Sequence, residues 1–294
     1  MSNNGDMRER FSLKTYMEDD AMMNARKLID MGFVIDPDND DKLRPMVKTK
    51  TWDTPWIYVR PSPTRSCNFW HEIIFKVFGL FPIGCLDCWK VVIRPRTLKE
   101  LFMLLDYERN EFDGDCKCGI EVRPYVHGNY GGYNYNNSLE EGINSYHRIR
   151  SDMNRIISPD VPVILKRACT EFELEFGDSD KWEELLEKGE VEHPEKGTIK
   201  SFKYDELKRR SDIIRGQLLL PDTSKGWYQP KYVQDAVIRE WFKHAYSIGD
   251  PTALEFNEGG KPFYTPSITY HDKDLTNTDI QKTKKFVSEE VITK

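Results

Sequence analysis

The chain lacks an apolar run long enough to span a bilayer. Its longest, Phe69 to Ile83, is broken by His71, Glu72 and Lys76 and falls short of the roughly 20 residues a spanning helix needs. Met1 to Arg10 mixes charges of both signs without an apolar stretch, so it does not read as a secretory leader. The expectation is a soluble intracellular (cytoplasmic) protein with no membrane contact. Nucleotide-binding glycine signatures are also missing: neither G-x-x-x-x-G-K-[ST] nor G-x-G-x-x-G occurs. Nor is there G-x-S-x-G, and His71-Glu72 has no second histidine at zincin spacing. The six histidines are dispersed, no C-x3-C-x2-C triplet is present, and no repeat of solenoid period or long heptad run occurs. These gaps leave the catalytic residues unknown and remove the common hydrolase, NTPase and dinucleotide-binding readings.

Cysteine is scarce, six residues in 294, but five of the six fall between positions 67 and 118. In a reducing compartment clustered thiols are better explained as metal ligands than as disulfides. Cys85 and Cys88 form a C-x2-C pair and Cys116 and Cys118 a C-x-C pair, with 27 residues between the pairs. Four thiolates of this kind suit tetrahedral zinc, and such a closed site staples a fold rather than performing chemistry. Cys67 and His71, four residues apart on one helical face, are alternate ligands. An iron–sulfur cluster drawing on Cys67, Cys85, Cys88 and one of the later pair is the competing assignment. Cys169 stands alone in a helical pattern and reads as a packed residue.

Each cysteine pair leads into a β-prone segment ending in Arg-Pro: Cys88 to Pro95, and Cys118 to Pro124. Knuckle then strand, twice, is the layout of a zinc ribbon, with a helix over Thr97–Glu108 inserted between the two halves. The fold class expected is therefore α+β, a small zinc-ribbon-like β core with a helical insertion followed by a mostly helical C-terminal part. The parts are 1–51, an N-terminal helical segment; 52–137, the Cys-rich core; and 138–294, helices with an irregular tail.

Within these parts the apolar periodicity predicts helices near 17–31, 69–79, 138–157, 162–176, 182–187, 206–219 and 230–246, with a strand over 52–60. Ser138-x-x-Glu141 marks one helix start by its capping-box pattern. The segment 127–137, rich in Gly, Asn and Tyr, reads as irregular, and 189–197 reads as an exposed connector. The acidic run at 36–41 lacks the Gly and Glu of a calcium-binding EF-hand loop.

The formal net charge is −6, yet residues 171–195 alone hold eleven Asp/Glu against Lys181 and Lys188. This segment reads as a solvated acidic face. Opposite in sign are Arg94, Arg96 and Arg123, which together with Tyr130, Tyr133 and Tyr135 form the expected binding surface. Rings that stack and cations that meet phosphates fit nucleic acid, and the same surface fits a protein partner. The leading expectation is thus a zinc-stabilised binding or assembly protein. The alternatives are an iron–sulfur redox enzyme, and a structural subunit whose aromatic stretch from Trp227 to Tyr270 is interface.

Overall fold

The computed structural model describes residues 21–45, 55–60, 67–220 and 229–256. The chain divides into two compact units, Met1–Asp250 and Pro251–Lys294. The second is described only through the 3₁₀ turn Pro251–Phe256. No helix among the described residues is long and apolar enough to cross a membrane.

The first unit is mixed α+β. Its centre is an antiparallel five-stranded sheet built from β3 (Trp56–Arg60), β4 (Trp89–Ile93), β5 (Cys116–Ile120), β6 (Tyr130–Asn136) and β7 (Val163–Arg167). The spatial order is β3-β5-β6-β4-β7. Two short hairpins precede and follow it: β1 (Phe33–Ile35) with β2 (Leu43–Pro45), and β8 (Glu190–His193) with β9 (Gly197–Lys200). The helices are α1 (Ala21–Asp30), α2 (Leu98–Asn110), α3 (Leu139–Ile156), α4 (Thr170–Phe176), α5 (Trp182–Lys188), α6 (Tyr204–Gly216) and α7 (Lys231–Ser247). A wide π-helical stretch runs over Asn68–Phe75.

Alternation along the strands assigns every side chain to one of two faces. Register aligns Cys118 with Gly132 and Gly132 with Ile93, and a Cβ on Gly132 would strike Leu104 of α2. Cys116, Cys118, Val91 and Ile93 therefore face the helices, and Val91, Ile93 and Cys118 have no exposed area. The other face carries Lys90, Lys117, Lys166, Tyr58, Tyr133 and Tyr135. A second apolar core, around Phe69, Ile74, Phe78, Phe81, Phe172 and Trp182, joins the π-helical stretch to α4 and α5.

Several expectations change. The strands that follow the two cysteine pairs, β4 and β5, are not neighbours, because β6 lies between them; a two-strand ribbon carrying both knuckles is not what the sheet builds. The stretch expected to be one helix over 162–176 is strand β7 followed by α4, since the open edge of β4 offers Val163, Ile164 and Leu165 a ladder that outweighs helical periodicity. The Gly/Asn/Tyr segment is the interior strand β6 rather than a loop, its glycines making room for Leu104 on one face and Arg94 on the other. The 189–197 connector is the β8–β9 hairpin. Residues 17–20, 52–54 and, within the Trp227–Tyr270 stretch, 227–228 and 257–270 lie outside the described residues.

Candidate metal centre

Cysteines occupy junctions between elements. Cys67 directly precedes the π-helical stretch, Cys85 ends the 3₁₀ turn Ile83–Cys85, Cys88 precedes β4, and Cys169 precedes α4. The Ala168 N–H donates to the Cys88 carbonyl at 2.7 Å, which fastens the β7–α4 turn beside the Cys85–Cys88 loop. Ala168 holds φ at +45°, in the left-handed region that residues with a Cβ avoid. Such strain persists only where surrounding contacts impose it, and it collects at functional turns.

Cys67, Cys88 and Cys169 all lie close enough to Cys85 to act on its thiol. Burial pushes the Cys85 thiol far up, and Cys169, Cys88 and Cys67 push it further. No three cysteines among the described residues have their sulfurs all within 4.8 Å of one another. Cys116 and Cys118 stand apart: they lie on the helix face of the sheet, where burial and then Glu108 raise both thiols. The structure therefore does not bring the expected set Cys85, Cys88, Cys116 and Cys118 together, because the two pairs serve different faces. It brings Cys67 to the first pair, and it adds Cys169, which its isolated place in the sequence marks only as a packed residue.

Lys90 reaches across this group. Its Nζ donates to Cys169 Sγ at 3.0 Å and lies 5.5 Å from the Tyr135 ring. Burial pulls the lysine pKa down, but Cys169, Cys88 and Tyr135 carry it well above the usual range, so the ammonium stays charged.

A tighter group shares Cys169. One ligand atom each of His71, Cys169 and Glu171 lie within 4.8 Å of one another. His71 Nδ1 is 2.7 Å from Glu72 Oε1, which orients the ring as carboxylates orient metal-bound histidines. Its Nε2 is buried without a hydrogen-bond partner, and so is Glu171 Oε2. Glu171 is 7% exposed, so its place in the acidic segment does not put it on the solvated face expected there. Burial raises its pKa, yet its backbone hydrogen bond, Arg123 and His71 together hold it down at about 2.

The expected binding residues are divided. Tyr130 is fully buried and donates to Asp250 Oδ2 at 2.7 Å. Tyr133 joins Arg94 (3.0 Å), Arg123 (2.7 Å) and Glu121 (2.7 Å) in one hydrogen-bonded set. Arg123 also bonds Glu171, which links this set to the His71 group. Arg96 is engaged by Glu100 at 2.6 Å. The tyrosines and arginines thus do not form one exposed patch, since β-alternation sends Tyr130 to the opposite face from Tyr133 and Tyr135. Lys90, Lys117, Arg94 and Arg123 together outnumber Glu121 and Glu171 and leave the sheet face positive. No family model, curated protein or solved structure matches the chain.

Proposed function

We propose that the chain is an iron–sulfur redox protein whose cluster is held by Cys67, Cys85, Cys88 and Cys169. The observation that carries this reading is the spacing of the thiols. Cys67, Cys88 and Cys169 each lie near enough to Cys85 to act on its thiol, yet no three of the four meet within 4.8 Å. Thiolates on a single tetrahedral zinc, each at about 2.3 Å from the metal, would be packed closer than that. A cluster binds each thiolate at a separate iron and spaces them more widely. The excess positive charge on this face suits a cluster whose thiolates make it anionic. When bound, a cluster of this kind carries one electron at a time. The Lys90 hydrogen bond to Cys169 would stabilise the added negative charge and raise the reduction potential.

A second reading is supported by the unpartnered His71 Nε2 and Glu171 Oε2. With Cys169 they suit one zinc-type ion with three protein ligands and an open fourth position, as in catalytic zinc sites. The four-cysteine zinc staple has less support, since Cys116 and Cys118 are buried among groups on the far face. Nucleic-acid binding through Arg94, Arg96 and Arg123 likewise has less, because each is already engaged by a carboxylate.

Metal analysis of protein purified without oxygen separates these readings. The expected outcome is iron with acid-labile sulfide and a broad visible absorption band, lost in Cys169→Ser and kept in the Cys116→Ser/Cys118→Ser double variant. Zinc without iron, lost in both Cys169→Ser and His71→Ala, would establish the single-ion site instead. Absence of any metal defeats both.

A further inference from the structure

Strand β3 ends in a bulge. Tyr58 pairs with Lys117 and Arg60 with Cys116, which leaves Val59 between them unpaired. Strict alternation would send Arg60 to the face that Tyr58 occupies. The extra residue turns it to the helix face instead, and bulges commonly re-aim a side chain in this way. There the Arg60 guanidinium reaches the last turn of α2, donating from Nη1 to the Glu108 carbonyl and from Nη2 to the Arg109 carbonyl at 3.0 Å. Arg109 in turn donates from Nη2 to Gln234 Oε1 of α7 at 2.8 Å. Both side chains are thus held by neutral oxygens, which fix their positions without cancelling their charge. Arginines elsewhere meet acids: Arg96 meets Glu100, Arg148 Asp113, Arg155 Glu111 and Arg167 Glu183. Neither Arg60 nor Arg109 has a carboxylate at ion-pair distance among the described residues.

The two arginines flank a cavity of about 650 Å³ between β3, α2 and α7, lined also by Val59, Lys231, Gln234, Asp235 and Ile238. Asp235 is the one acid among these lining residues, and Lys231 Nζ already bonds both of its oxygens at 2.8 Å. The charge left over is that of the two guanidiniums. Their forked N–H donors match the oxygens of a phosphate, and a phosphate monoester brings a charge of about −2 at neutral pH against their two positive charges. Because the protein already fixes both side chains, little ordering entropy is lost when an anion arrives. We propose that this cavity binds the phosphate monoester of a small molecule, with Arg60 and Arg109 gripping the phosphate. The half-buried Val59 and Ile238 offer apolar surface to the rest of the ligand. The inference is independent of the cluster reading, since no residue lining this cavity is a ligand in it.

Phenyl phosphate is titrated into the full-length protein by isothermal calorimetry at neutral pH, with succinate as the comparison dianion. The expected result is one site per chain that prefers phenyl phosphate to succinate by about tenfold or more. Arg109→Gln, which keeps a donor for Gln234 but removes the charge, should weaken binding by about tenfold, a loss of about 1.4 kcal/mol. Arg209→Gln, on an exposed arginine paired with Glu206, should leave it unchanged. If the first variant does not fold, the unaltered protein decides through phenylglyoxal labelling mapped by peptide mass spectrometry. Saturating phenyl phosphate should then slow labelling of the exposed Arg109 and leave that of Arg209 as it was. Absence of binding, succinate binding as tightly as the monoester, equal weakening by the two substitutions, or equal protection of the two arginines overturns the proposal.

Discussion

Glu108 is fully buried on the helix face of the sheet, its carboxyl facing the Cys118 thiol. Burial lifts its pKa to about 8, against smaller downward pulls from Cys118 and Arg60. A carboxyl raised in this way binds a proton in the folded state that the unfolded chain releases near 4.5. Its contribution is full below the unfolded value and is lost as pH rises through the folded one. Stability should therefore fall between about pH 5 and 8, by up to about 1.4 kcal/mol per pH unit. Urea titrations across that range should show the slope in the native protein and a flatter profile in Glu108→Gln. Nothing in the sequence singles out Glu108, which sits in an ordinary helical pattern. The burial of a carboxylate is a property of what packs above it. Cys67, Cys85 and Cys88 were legible because they are close in sequence. Cys169 was not, because its partners lie some eighty residues away, although the apolar run Val163–Leu165 just before it repeats the strand-and-cysteine association seen at Cys88.

Among the elements, helices with local signals were the most readable. Ser138 Oγ accepts the Glu141 N–H at 3.1 Å, as the capping pattern implied, and Thr97 does the same for Glu100 at 3.2 Å. Strands β6 and β7 are hidden in the sequence for opposite reasons: β6 behind glycines that usually signal turns, and β7 behind apolar spacing that also fits a helix. Both identities are decided by β4, a partner far away in sequence. Glycine in the sheet is accordingly structural. A Cβ on Gly119 would sit 2.0 Å from the Pro55 carbonyl oxygen, whereas one on Gly216, at the end of α6, would meet nothing within 4 Å. Gly119→Ala should force β3 away from β5 and cost about 1–3 kcal/mol. Gly216→Ala should be neutral or stabilise by about 0.5 kcal/mol. Thermal melts of the two variants check the contrast, and equal effects would contradict the assigned packing.

At the scale of the whole first unit, its last residue secures its middle. Asp250 Oδ2 accepts the Leu98 N–H at 2.6 Å and the Tyr130 hydroxyl at 2.7 Å, thereby capping α2 and the buried end of β6 from 152 and 120 positions away in sequence. Asp250→Ala leaves a buried phenol without its acceptor and should cost about 2–3 kcal/mol. Tyr130→Phe in the same background should restore part of the loss, and a double-mutant cycle in urea measures how much. No local pattern around Asp250 announces this, which is why α+β character was legible while the closure of the unit was not. The order in which the sheet is completed matters as well. β7 is the last of its five strands to be synthesised, and it covers the edge of β4, where Val91, Val92 and Ile93 have no exposed area in the finished protein. Until it emerges from the ribosome the nascent chain carries a bare, apolar strand edge of the kind that recruits other chains. A product released before residue 163 should self-associate on that edge, so translational arrest in the α3 coding region would yield aggregates rather than a smaller soluble protein.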